Sequence, residues 1–150
     1  IEDLILQIEA ALEAKPVSET EPTIIGLYCS YWAYTDIGPE LIKERFPNIR
    51  MIPLLCIAKV DTLHLLKAFE LGAHGVFLVG CREEDCSYQK GVFWARHRVE
   101  HTKKILAKIG LGMERLEIYS LPTPGLEQLD RLLTEFTQQI KQLGPSPLRR

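Results

Sequence analysis

From Thr23 onward the chain repeats one pattern, a short apolar run followed by a stretch with helical periodicity, and this repetition limits its possible folds more than any other feature. The runs are Ile24 to Cys29 (IIGLYC), Ile49 to Cys56 (IRMIPLLC), Gly75 to Cys81 (GVFLVGC) and Leu116 to Leu121 (LEIYSL). Each has the length and the branched or aromatic content of a buried strand. Between the second and third, Thr62 to Leu71 reads as a helix with Asp61 as its N-cap and Gly72 at its stop. Gln89 to Ile109 predicts a longer helix ended by Gly110. Leu126 to Leu143 places Leu126, Leu129, Leu132, Leu133, Phe136, Ile140 and Leu143 on one face. Strands alternating with helices imply βαβ units, whose right-handed crossovers build a parallel sheet. The pattern therefore predicts a doubly wound, flavodoxin-like α/β domain with four parallel strands in the order 2-1-3-4 and helices on both faces. Pro53 fits this order. Proline cannot donate to a ladder, and the order puts its strand at an edge.

Ahead of this domain, residues 1–22 read as a separate helix and linker, leaving 23–150 as the main unit. Ile1, Leu4, Ile5, Ile8, Ala11 and Leu12 form one helical stripe, and Pro16 to Pro22 (PVSETEP) is linker-like. The stripe suits packing on the chain's own domain or docking to a partner, and periodicity alone leaves both open. At 150 residues and 46% apolar, the chain is large enough to bury a core of its own. Its 18 basic and 20 acidic residues give a net charge of −2, without the basic excess of a dedicated nucleic-acid binder. No apolar run reaches the ~18 residues of a membrane span, and the first residues lack the basic-then-apolar order of a secretory signal. The expectation is a soluble, cytoplasmic protein with no direct membrane insertion.

Four cysteines are too few for a disulfide scaffold in a chain of this size, so their placement carries the information. Cys29, Cys56 and Cys81 close the first three apolar runs, 27 and 25 positions apart, as successive βαβ units would space them. In open α/β sheets ligands bind outside the carboxyl ends of the strands, where strand order reverses. Strands lie ~4.8 Å apart, so thiols at matching strand ends can converge on one small object. Cys86 follows Cys81 by five residues in CREEDC, close enough to turn back over the same crevice. Each cysteine taken singly also suits a small buried hydrophobe. Four thiolates together suit zinc or an iron–sulfur cluster. Structural zinc usually shows ligand pairs two to four residues apart in compact ribbons, whereas ligands drawn from several strand ends suit a cluster better.

Other chemistry is weaker. His97 and His101 are four apart on one helix face, but no Glu follows His97 in the H-E-x-x-H manner, and Arg96 and Arg98 flank it as on a solvated face. His64 and His74 are isolated and read as ordinary helix and turn positions. No G-x-G-x-x-G or P-loop motif offers a phosphate cradle. Cys29 or Cys81 at a strand end is also a candidate nucleophile, although no base is evident nearby in sequence. Glu83, Glu84 and Asp85 form an acidic loop suited to tuning a site, to meeting a basic partner, or simply to solubility.

The segments IIGLYCSYWAYT, PNIRMIPLLCIAKVD and LLKAFELGAHGVFLVGCREEDCSYQKG, the Arg98-Val99 step and the closing IKQLGP carry a resemblance that runs from Ile24 to Gly144. Across that stretch the chain resembles the iron–sulfur delta subunit family of methyl-viologen-reducing hydrogenase. The resemblance implies a cytoplasmic [2Fe–2S] subunit that relays electrons between a hydrogenase or other dehydrogenase and a heterodisulfide-reductase-A-like flavoprotein. In the favoured mechanism Cys29, Cys56, Cys81 and Cys86 ligate the irons, and Tyr31, Trp32 and Tyr34 in the loop after the first strand suit shielding the site from water, plain packing or a partner surface. The family typically shows C-x-x-C after the first strand. Here Trp32 stands where the second cysteine would be, leaving four thiols, a full set for [2Fe–2S]. The contrasting reading is a bridging subunit of such a complex that holds zinc or no metal.

Overall fold

The computed structural model describes residues 2–13, 22–29, 44, 46–54, 57–81, 91–121 and 126–144. In chain order the elements are α1 (Glu2–Glu13), β1 (Ile24–Cys29), β2 (Ile49–Leu54), a 3-10 turn (Ile57–Lys59), α2 (Thr62–Glu70), β3 (Gly75–Cys81), α3 (Gly91–Lys108), a second 3-10 turn (Met113–Arg115), β4 (Leu116–Leu121) and α4 (Leu126–Leu143). The four strands form one sheet in the order β2-β1-β3-β4, and every pairing is parallel. This is the doubly wound topology the alternating pattern predicts. Pro53 lies on edge strand β2 and is exposed, so its missing N–H interrupts no interior ladder.

Residues level with one another on parallel strands share a face, and successive residues alternate faces. Gly26, Phe77 and Tyr119 belong to rows that face α4. Phe136 of α4 stacks edge-on to Phe77, with centroids 5.9 Å apart, and to Tyr119 at 6.4 Å. Burial pushes the Tyr119 phenol well above its ordinary pKa, with Glu117 and Glu135 adding to the shift. Alternation puts Ile25, Leu27, Val76, Leu78 and Leu116, all buried, on the opposite face. That side carries α1, α2 and α3: α1 packs on α2 and β2, α2 on β3 and α3, and α3 on β4. Leu4 and Ile8 of α1 are buried in the common core, so the N-terminal helix packs on the domain's own sheet and helices.

Capping follows the sequence. Asp61 caps α2, and Gly72, at φ +115°, takes the chain out of the helix through backbone that L-residues rarely adopt. Beyond the helices, one buried cation ties distant parts together. Arg115 is 3% exposed and donates to the carbonyls of Leu111, His74, Leu143 and Gly144, at 2.9 to 3.3 Å. It thereby joins the ends of α3 and α4 to the start of β3.

Gly26 lies at the middle of β1 because the Phe77 ring occupies the space above it. A Cβ there would sit 2.5 Å from Phe77 Cζ and 2.6 Å from Met51 Sδ. Gly26→Ala is therefore expected to cost about 1–3 kcal/mol of stability through overpacking, read as a lower urea midpoint. An unchanged midpoint would mean that the Phe77 ring is not seated over β1.

Candidate metal centre

The strand order reverses between β1 and β3. From β1 the chain goes to β2 on one side, and from β2 it crosses to β3 on the other. Such a switch point opens a crevice at the carboxyl ends of the two central strands, because the connections leave in opposite directions. Cys29 is the last residue of β1 and Cys81 the last of β3. Tyr28 is level with Val79, so Cys29 comes level with Gly80 and Cys81 stands one residue further on. With strands ~4.8 Å apart and ~3.3 Å per residue, the two cysteine backbones share one end of the sheet, one step out of register. Beneath them Leu27, Tyr28, Leu78 and Val79 are buried, so the core directly below these two strand ends is largely apolar.

Sequence patterning carries the second strand to Cys56; the described strand β2 runs over Ile49–Leu54, with Leu54 level with Cys29. Cys56 lies outside the described residues, as do Cys86, Tyr31, Trp32, Tyr34, Glu83, Glu84 and Asp85. The chain resumes at the turn Ile57–Lys59, which is anchored by Ile57, 1% exposed. Among the described residues no group of three His, Cys, Asp or Glu side chains gathers as a metal site.

The histidines are engaged elsewhere. His64, a buried residue of the first turn of α2, accepts the Asp61 N–H at Nδ1 (2.9 Å) and completes a capping box with the Asp61 side chain. His74, also buried, accepts the Thr23 N–H at Nδ1 (3.0 Å), tying the starts of β1 and β3. Both do more than the ordinary helix and turn positions their sequence context suggests. His97 and His101 are exposed on α3, and His97 packs against Phe93, centroid to centroid 4.6 Å.

Arg98 departs from the solvated face read for its surroundings. Arg96 and His97 are exposed, but the Arg98 guanidinium turns inward and donates through Nη1 to the carbonyls of Ala58 and, at 3.2 Å, Val60. One turn along α3, the hydroxyl of buried Thr102 meets the Thr62 hydroxyl at 3.2 Å. The signal for this was present in the sequence: positions 95, 98, 99, 102 and 106 fall on one helical stripe, and a polar residue on an apolar stripe needs a partner there. Far from the cysteines, at the amino ends of β1 and β2, a cavity of about 330 Å³ opens between Ile24, Asn48 and Ile49 on one side and Thr134, Thr137 and Lys141 of α4 on the other.

The family profile described as methyl-viologen-reducing hydrogenase, delta subunit, matches residues 24–144. The chain belongs to that family. Relatives include the iron–sulfur subunit of the vhu F420-non-reducing hydrogenase of Methanococcus maripaludis, 31% identical over 86% of this chain and 98% of the relative. Its counterpart in Methanocaldococcus jannaschii is 28% identical over the same shares. One chain of the ferredoxin:CoB-CoM heterodisulfide reductase of Methanosarcina mazei is 32% identical over 96% of this chain but only 18% of its own length. The same unit thus occurs free-standing in some relatives and as a portion of a much longer chain in others. None of the described helices is long and apolar enough to cross a membrane.

Because His97 and His101 stand exposed without a third ligand among the described residues, the double variant His97→Ala/His101→Ala is expected to retain the metal content of the wild type, measured by inductively coupled plasma mass spectrometry. Loss of metal from it would make the histidine pair part of a centre.

Proposed function

We propose that this chain is an electron-transfer subunit whose Cys29, Cys56, Cys81 and Cys86 hold a [2Fe–2S] cluster. In this reading it relays single electrons between a hydrogenase or other dehydrogenase module and a flavin-containing, heterodisulfide-reductase-like subunit. The observation that carries the reading is the arrival of Cys29 and Cys81 at the ends of the two central strands, on either side of the switch point. Support also comes from relatives named iron–sulfur subunits of hydrogenases, and from the similarity of the whole unit to part of a heterodisulfide reductase chain.

The donor set fits the group. Four thiols are a complete ligand set for [2Fe–2S], soft sulfur ligands favour iron–sulfur centres, and the described histidines of the domain interior are already bonded to backbone. When bound, the cluster supplies a one-electron couple that needs no bond to substrate and no proton. The chain's own residues hold that couple in place. Cys29 is level with Leu54 in the β1–β2 pairing and Cys81 with Leu121 in the β3–β4 pairing, so each backbone is held by a ladder to an edge strand. The buried row below them, Leu27, Tyr28, Leu78 and Val79, keeps water from approaching through the core, and solvent exposure is one of the levers that set a cluster's potential. Partner subunits then meet the sheet at its carboxyl end, where the site opens.

The test is iron and acid-labile sulfide on anaerobically purified protein, with electron paramagnetic resonance after dithionite reduction, for the wild type and Cys81→Ala. The wild type is expected to hold about two irons and two sulfides with a reduced-state signal, and the variant to lose the signal and most of the iron. Zinc or no metal in the wild type would replace the relay with a structural bridging role. An unchanged variant would remove Cys81 from the ligand set.

A further inference from the structure

The first half of α3 carries three rings on its outer side. Phe93 is 40% exposed and Trp94 53%, and His97, one turn on, is exposed as well. The rings pack on one another. Phe93 meets Trp94 edge to face with centroids 5.4 Å apart and meets His97 in the same manner at 4.6 Å, while Trp94 and His97 stand 6.3 Å apart. A single exposed apolar residue is ordinary, but large aromatic rings gathered in one outward group have the composition of an interface centre. Because each ring is already restricted by its neighbours, covering the group loses little further side-chain entropy.

Two contacts fix where along the sheet this group lies. Arg98 bonds the carbonyls of Ala58 and Val60, which follow β2 in the chain, whereas Lys103, further along α3, pairs at 2.9 Å with Glu117 in the second position of β4. The helix therefore runs antiparallel to the strands, and the residues ahead of Arg98 stand at the carboxyl end of the sheet. At ~1.5 Å per residue, Phe93 lies about 7 Å beyond Arg98 along the helix axis in that direction. The outer face of α3 is also basic. Arg96, Lys104 and Lys108 are exposed on it, with Glu100 its sole acidic residue, although the chain as a whole carries a net charge of −2.

We infer that the outer face of α3, centred on Phe93, Trp94 and His97, is the docking surface for the flavin-containing, heterodisulfide-reductase-like partner subunit, which meets it with an apolar socket rimmed by carboxylates. Charge decides between occupants. A second copy of this chain bound about a two-fold axis would bring two basic faces together, whereas an acidic surface is attracted by Arg96, Lys104 and Lys108 at once. Position agrees, because the rings stand at the end of the sheet where the strands finish in Cys29 and Cys81. The choice of partner rests on the proposed relay, and the surface itself is testable apart from the cluster. Trp94 is the central anchor, covered on docking, and the cations at the rim steer the encounter.

The experiment is anaerobic isothermal titration calorimetry of the purified full chain with the purified heterodisulfide-reductase-like flavoprotein subunit of the same organism. Trp94→Ala is expected to raise Kd about tenfold or more, as loss of an interface anchor does. Lys104→Glu is expected to raise Kd at low salt and to flatten its salt dependence. Leu6→Ala, which removes a side chain 60% exposed on α1, is expected to leave Kd unchanged. Matching urea midpoints show that the variants remain folded. An unchanged Kd in Trp94→Ala or Lys104→Glu, an equal rise in Leu6→Ala, or a wild type that does not bind the flavoprotein would overturn the inference, as would a wild-type dimer in sedimentation that Trp94→Ala dissociates. Iron content measured on the same samples keeps the two proposals apart: binding through Trp94 without iron keeps the surface and removes the cluster, whereas iron with binding indifferent to Trp94 keeps the cluster and removes the surface.

Discussion

The backbone hydrogen bonds that join β1 to β3 in parallel hold Tyr28 level with Val79, and so bring Cys29 and Cys81 to the same end of the sheet. Two requirements make that pairing possible at the centre of the domain. Both strands must be apolar on both faces, which the runs IIGLY and GVFLV provide, and the middle of β1 must be thin enough for the Phe77 ring, which Gly26 provides. The aromatic trio Phe77, Tyr119 and Phe136 then seats α4 on one face, leaving α1, α2 and α3 the other. Because the chain enters the sheet centrally and builds outward in both directions, the switch point falls between β1 and β3, the strands that end in Cys29 and Cys81.

Rigidity around that switch point is unevenly arranged. At the amino end of the sheet His74, Thr23 and Arg115 form a bonded group that ties the starts of β1 and β3 to the ends of α3 and α4. Beyond β2, ahead of α2, the Arg98 side chain of α3 bonds the carbonyls of Ala58 and Val60.

Much of this could be read from the residues. Strand order, parallel pairing, the edge position of Pro53, the Asp61 cap and the glycine stops at Gly72 and Gly110 all follow from local chemistry and period, and all are present. What escaped the pattern is of two kinds. The inward turn of Arg98 and the bonded role of His74 depend on contacts between segments far apart in sequence, which periodicity cannot supply, and His64 takes part in a local cap. Arg98 was hidden among charges, since its neighbours Arg96 and His97 are exposed and only its place on the stripe of Ala95, Val99 and Thr102 separates it from them. Of the three cysteines that patterning placed at the ends of apolar runs, Cys29 and Cys81 end β1 and β3, while Cys56, like Cys86, lies outside the described residues.

The most direct test of the central claim is the iron K-edge X-ray absorption spectrum of the anaerobically purified, oxidised protein. Four cysteine ligands around a two-iron core predict a first shell made of sulfur alone, with an iron–iron scattering contribution beyond it. Nitrogen or oxygen in the first shell would contradict ligation by Cys29, Cys56, Cys81 and Cys86, and an absent iron edge beside a zinc edge would contradict the cluster itself.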